Sequence, residues 1–178
     1  MSEISIAEVV ARANDAAFGR PLVTNVLRSQ IVEAMIALAI EPEWKWCSAD
    51  YAAWDFEHPD GYRLEVKQSS YLQTWAPPAH GKVNPGFDIA ARKGRWEGAR
   101  WIDEAGRAAH VYVLAYHDLR DASADHRNPV QWEFDVIPTT KLPATKRIGL
   151  RAVRGLANAV GISDLKNEIA SAASECRR

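Results

Sequence analysis

The sequence has little of what would place a chain in a specialised class at once. Its cysteines are only Cys47 and Cys176, far apart and without the close spacing of a zinc site or a disulfide framework. Both are expected to be reduced thiols, Cys47 packed in a strand. No apolar run approaches the roughly 20 residues of a membrane span. Met1 to Arg12 carries Glu3 and Glu8 and lacks the apolar stretch of a signal peptide, so a cytoplasmic protein without a membrane partner is expected. Charge of one sign is missing as well. Lys and Arg number 22 against 23 Asp and Glu, a formal net charge of −1, so no global basic field advertises nucleic acid. A local basic groove remains compatible with that balance. There is no internal repeat and no low-complexity stretch.

What is present is an ordinary globular composition. With 178 residues, 47% hydrophobic and 25% charged, the chain suits a single domain over 1–178 with a core of its own, and 138–178 as an optional helical appendage. Apolar spacing predicts a helix over 4–17, opened by Ser5 or Ser2, and a second over 22–40, ended by Pro42. In the second, Val26, Leu27, Ile31, Met35, Leu38 and Ala39 supply the apolar surface. Glu33 lies in its most apolar part, either as a solvated outer residue or as a carboxylate aimed at a site. A short strand over 43–48 should set Trp44, Trp46 and Ser48 on one face.

The stretch from Asp55 to Gln68 organises the rest. Trp54 to Glu57 and Tyr62 to Ser69 alternate around Pro59-Asp60-Gly61, and Asp-Gly between alternating segments predicts a β-hairpin. Strand periodicity puts Tyr62, Leu64, Val66 and Gln68 on one face and Arg63, Glu65, Lys67 and Ser69 on the other. The hairpin brings the Asp55 carboxylate toward Glu65 and Lys67. Two carboxylates and an amine near one point suit Mg²⁺-dependent phosphodiester hydrolysis, because Mg²⁺ takes hard oxygen donors from one or two carboxylates and from phosphate. A solvated surface ion pair is the plainer reading of the same residues.

Asp55, then Glu65-Val66-Lys67-Gln68, resembles the PD-(D/E)xK signature of restriction endonuclease-like nucleases, with Trp54 in place of the Pro. The resemblance covers about 22–117. It implies an α/β fold with an αβββαβ core, a mixed central sheet flanked by helices, and here extra C-terminal helices. It also implies Asp55 and Glu65 as ligands of Mg²⁺ (Mn²⁺ as substitute), Lys67 as the group that positions or activates water, Glu33 as a helical carboxylate assisting at the metal, and Gln68 in support. DNA would be the partner, with a homodimer cutting both strands left open. The alternatives are a catalytically silent nucleic-acid-binding module of the same fold and an unrelated α/β protein whose hairpin mimics the motif.

Downstream, a Pro/Gly-rich loop over 76–86, with Gln73 and Trp75 before it and His80, Lys82 and Asn84 within it, offers polar and aromatic groups to a nucleic acid. Arg92, Lys93, Arg95 and Arg100 stand among Phe87, Trp96 and Trp101, and basic residues among aromatics suit phosphate contacts. A buried strand is expected over 110–117 and another over 130–137, the latter with Glu133 and Asp135 toward solvent. A helix over 150–160 and a last one opened by Ser163 or Asp164 follow. Lys141, Lys146, Arg147, Arg151 and Arg154 make this the most basic region, a solvated face or a clamp on the DNA backbone.

Overall fold

Eight residues with a strict strand pattern, Arg63–Ser70 (β3), pair in parallel with Val111–His117 (β7), in which every residue is buried. The structure, a computed structural model, describes residues 4–47, 52–75 and 85–176. Around the central pair lies a five-stranded mixed sheet in the order β1-β2-β3-β7-β8. Lys45–Trp46 (β1) and Phe56–Glu57 (β2) form its short antiparallel edge, and Glu133–Pro138 (β8) closes the other side against β7. The expected hairpin is there. Phe56 faces Leu64 and Glu57 faces Arg63, and Gly61 makes the turn at φ +85°, a conformation that favours glycine.

Alternation sorts the two faces. Leu64 and Val66, with Val111, Val113 and Ala115, meet helices Asn25–Ile40 (α2) and Leu165–Glu175 (α4) in the larger core. Tyr112, Leu114 and Tyr116 point the other way, onto Phe87 and Ile89, Ile148 and Val153. That second layer is built by Gly86–Asp88 (β4) pairing with Arg147–Gly149 (β9), and by the short helix Leu150–Val153 (α3). Each fully buried Leu, Ile or Phe contributes about 1.5–3 kcal/mol of apolar burial. α4 adds Leu165, Ile169, Ala172 and Ala173 to the larger core, so the chain after Pro138 is built into the packing of the sheet.

Several expectations change. Helix Ile6–Phe18 (α1) starts at a capping box between Ser5 and Glu8, yet none of its residues is buried. α2 presents Arg28, Val32, Glu33, Met35, Ile36, Ala37 and Ile40 to the interior, while Val26 and Leu38 are exposed. Apolar residues ring this helix, so periodicity alone misjudged its buried side. The helix expected over 150–160 shortens to α3, and α4 begins after Asp164, whose side chain makes no capping bond. Among the described residues the connection from β3 to β7 holds no helix. It contains β4 and the hairpin of Arg95–Glu97 (β5) with Arg100–Ile102 (β6), where a crossover helix was expected from the αβββαβ pattern. Asp135 is fully buried, against the expectation of a solvent-facing strand, because β8 is covered on both sides and Arg154 reaches in to within 3.3 Å. Burial pushes its carboxyl up to about 6 despite that arginine. No helix among the described residues is long and apolar enough to cross a membrane.

Candidate active site

The face of β3 opposite the larger core bears Arg63, Glu65 and Lys67, and it opens on a cleft of about 270 Å³. Glu65 and Lys67 line it together with Asp88, Arg92, Tyr112, Trp96 and Trp101. The two strand neighbours lie side by side as the period of two requires, and Lys67 Nζ contacts Glu65 Oε1 directly. Tyr112 is there because parallel pairing sets it opposite Glu65.

Asp55 is held just beyond the last ladder pair of the hairpin. Its backbone N–H bonds to Leu64 O at 2.9 Å, and its Oδ2 accepts the Val66 N–H at 2.6 Å. The carboxylate therefore takes up a strand N–H beyond the ladder, which fixes it beside the Glu65–Lys67 pair. Glu33 approaches from α2 on the helical side. Its Oε2 accepts the Trp46 indole N–H at 3.0 Å, which gives that half-buried indole its partner.

These charges act on one another. Burial, then Asp55, pushes Glu65 up to about 7, with Lys67 opposing and Glu33 adding to the rise. Burial, then Asp55, also raises Glu33 to about 7, against the Trp46 bond and Lys67. Burial raises Asp55, offset by the Val66 N–H and by Lys67. For Lys67 burial acts downward, but Glu65, Asp55 and Asp88 outweigh it and keep the ammonium above its ordinary value. The buried Glu33 and the half-buried Asp55 and Glu65 thus share a single close ammonium. Their demand for positive charge exceeds what Lys67 supplies, and hard oxygen donors in that condition suit a hard divalent cation. Among the described residues no group of three His, Cys, Asp or Glu side chains is close enough to hold a metal alone. Asp55 and Glu65 are the two carboxylates that act most strongly on Lys67.

Gln68 does not join them. It lies on the other face of β3, where Oε1 accepts from Arg28 Nε at 2.6 Å and Nε2 donates to Asn25. A catalytic role for its side chain is corrected by the strand's own alternation. Arg92 lines the cleft and pairs with Asp88 at 2.7 Å, and Lys93 follows it, exposed. Lys146 and Arg147 are exposed on and before β9, away from the cleft lining. Within the basic C-terminal region, Lys141 pairs with Glu175, and Arg154 with Glu133 and Asp135. Gln73 bonds to Arg28 and to Ser70 O, so it is structural, while Trp75 is exposed. Ser48, His80, Lys82 and Asn84 lie outside the described residues.

The sequence did not single out Trp46, Asp88 or Tyr112 for this site. Trp46 carried a signal, since a buried indole N–H needs an acceptor. Asp88 and Tyr112 carried none, because they arrive through pairings distant in sequence.

No protein-family model matches this chain, and no curated protein matches it.

Proposed function

We propose that this chain is a metal-dependent nuclease of the PD-(D/E)xK type, hydrolysing phosphodiester bonds in DNA. The observation that carries the proposal is the cleft face of β3, with Glu65 and Lys67 in contact and Asp55 pinned beside them on the Val66 N–H. Asp55 and Glu65 would hold Mg²⁺, or Mn²⁺ in its place, through hard oxygen donors. Such an ion, when bound, lowers the pKa of a coordinated water and neutralises charge on the scissile phosphate. Lys67 stays protonated beside its carboxylates, so its part is a fixed positive charge that orients water or supports the negative phosphate. Glu33 assists by keeping a further carboxylate near Asp55, oriented by Trp46. Arg92 in the cleft, and Lys93, Lys146 and Arg147 outside it, are the phosphate-contacting candidates on DNA. The antiparallel β1-β2-β3 run with α2 before it and parallel β7 after it supports a restriction endonuclease-like core. The strands β4 to β6 in the crossover are this chain's departure from it.

The test is cleavage of single-stranded, duplex and plasmid DNA with Mg²⁺ or with EDTA, in wild type, Lys67→Ala and Asp55→Asn. Cleavage that needs the metal and drops by about 10²–10³-fold in either variant is expected. DNA binding without cleavage under every metal condition would favour the silent binding module. No metal uptake in calorimetry, even with DNA present, would overturn the site.

A further inference from the structure

Trp96 and Trp101 face each other across the β5–β6 hairpin, ring centroids 5.4 Å apart at 66°, and remain 45% and 48% exposed. Large aromatics left half in water on a hairpin do nothing for the core. They do line the same cleft as Glu65 and Lys67. We infer that this hairpin is a base-stacking wall, and that the cleft takes an unpaired nucleotide of single-stranded or frayed DNA; the inference rests on the nuclease reading for what happens to the phosphate.

An ion pair links the hairpin to the strand that carries the charged groups. Arg63, two residues before Glu65 on the same face, lies 3.7 Å from Glu97 and stacks 3.7 Å over the Trp54 ring. Arg95 bonds to Glu97 at 2.8 Å and to Glu104 at 2.6 Å, bracing the hairpin from within. Gly94 lets the Trp101 indole lie against the backbone, since a Cβ there would come within 2.5 Å of the ring. Both half-exposed indoles line the cleft, and every base has a π-face to lay on an indole whatever the sequence. In a duplex those base faces are already covered by their neighbours, so only an unstacked base can use the wall. The volume, about 270 Å³, sits near the low end of pockets that take small molecules, a scale suited to one nucleotide. Arg107, whose guanidinium bonds to the carbonyls of Ile89 and Pro143, supplies positive charge within the same cleft for its phosphate.

The decisive experiment measures binding in EDTA, without turnover, by anisotropy of a labelled oligothymidylate and of a blunt duplex. Wild type should bind the single strand more tightly, with quenching of its tryptophan emission. Trp96→Ala/Trp101→Ala should weaken single-strand binding by on the order of tenfold and abolish the quenching, and Trp96→Phe/Trp101→Phe should restore most of the affinity. Equal single-strand affinity in wild type and the alanine variant would overturn the inference, as would a wild-type preference for duplex. Circular dichroism checks the variants, and the wild-type quenching comparison between single strand and duplex decides the matter if the alanine variant does not fold. Tryptophan-dependent binding without metal-dependent cleavage would keep the wall and remove the nuclease. Cleavage indifferent to both tryptophans would do the reverse.

Discussion

On one face of β3, Gln68 and Ser70 join Arg28, Gln73 and His126 in a network whose arginine, serine and histidine are buried; on the other, Glu65 and Lys67 open on a cleft. Arg28 is 1% exposed and donates to Gln68, Gln73 and Asn25 side-chain oxygens. His126 Nδ1 lies 3.0 Å from the Val23 N and 3.3 Å from its O, and Nε2 is bonded to Ser70 Oγ at 2.8 Å. Ser70 then donates to Leu72 O. Neutral partners satisfy the cation, burial lowers Arg28 to about 10, and the network's work is to join α2 to the end of β3. The cleft face is the opposite case. There, carboxylates outnumber the ammonium among them, and the imbalance meets open space. A buried polar group that is fully answered by protein is structural. One left partly unanswered beside a cleft is a candidate for chemistry.

This contrast can be broken by substitution. The largest effect expected is Lys67→Ala, which should cost about 10²–10³-fold in DNA cleavage, with a smaller fall in melting temperature because Glu65 loses its ammonium partner. Cleavage rate and thermal unfolding measured on the same sample check both halves. Arg28→Met should do the converse. It leaves the half-buried side-chain oxygens of Gln68 and Gln73 without their arginine donor and should lower stability by about 2–3 kcal/mol, read by urea unfolding.

His126 should contribute a pH dependence of its own, opposite in sign to that of the raised carboxyls Glu33, Glu65 and Asp135. Burial, then the neighbouring Arg28 and His117, lowers His126 to about 4. The unfolded imidazole titrates near its ordinary 6.5, so the unfolded state binds the extra proton first. The His126 contribution should therefore be fully present above about pH 6.5 and be lost as pH falls toward 4. In His126→Gln the melting temperature should fall less, or rise more, on acidification across that window than in wild type. Gln68→Leu should have the smallest effect, about 1–2 kcal/mol of stability from the lost acceptor of Arg28 Nε, with cleavage per folded molecule within about twofold of wild type. A large loss of cleavage at unchanged stability would instead return Gln68 to the site.

The hairpin around Gly61, the apolar run of β7 and the shared face of Glu65 and Lys67 were legible in the sequence, because each depends on period and on local turn chemistry. Arg28 was not. A charged residue in a helix reads as solvated until the amides that answer it arrive from β3 and the segment after it. Asp135 misled for the same reason, since alternation says that it opposes Phe134 and nothing about what covers its side. The strands of the crossover were hidden too, because Arg95–Glu97 and Arg100–Ile102 are three residues each and hold together through Trp96, Trp101 and the Arg95 ion pairs.

By itself the sequence determined which side chains would share a strand face and where the chain would turn, since those follow from bond geometry over a few residues. Tertiary structure alone decided that β7 would lie parallel to β3, bringing Tyr112 to Glu65, and that β4 would carry Asp88 to Lys67. It also decided which flank of α2 would be buried, and hence that Glu33 would meet Trp46. These contacts join residues distant along the chain, and which of them form is settled by the packing of the whole core, which no local pattern encodes.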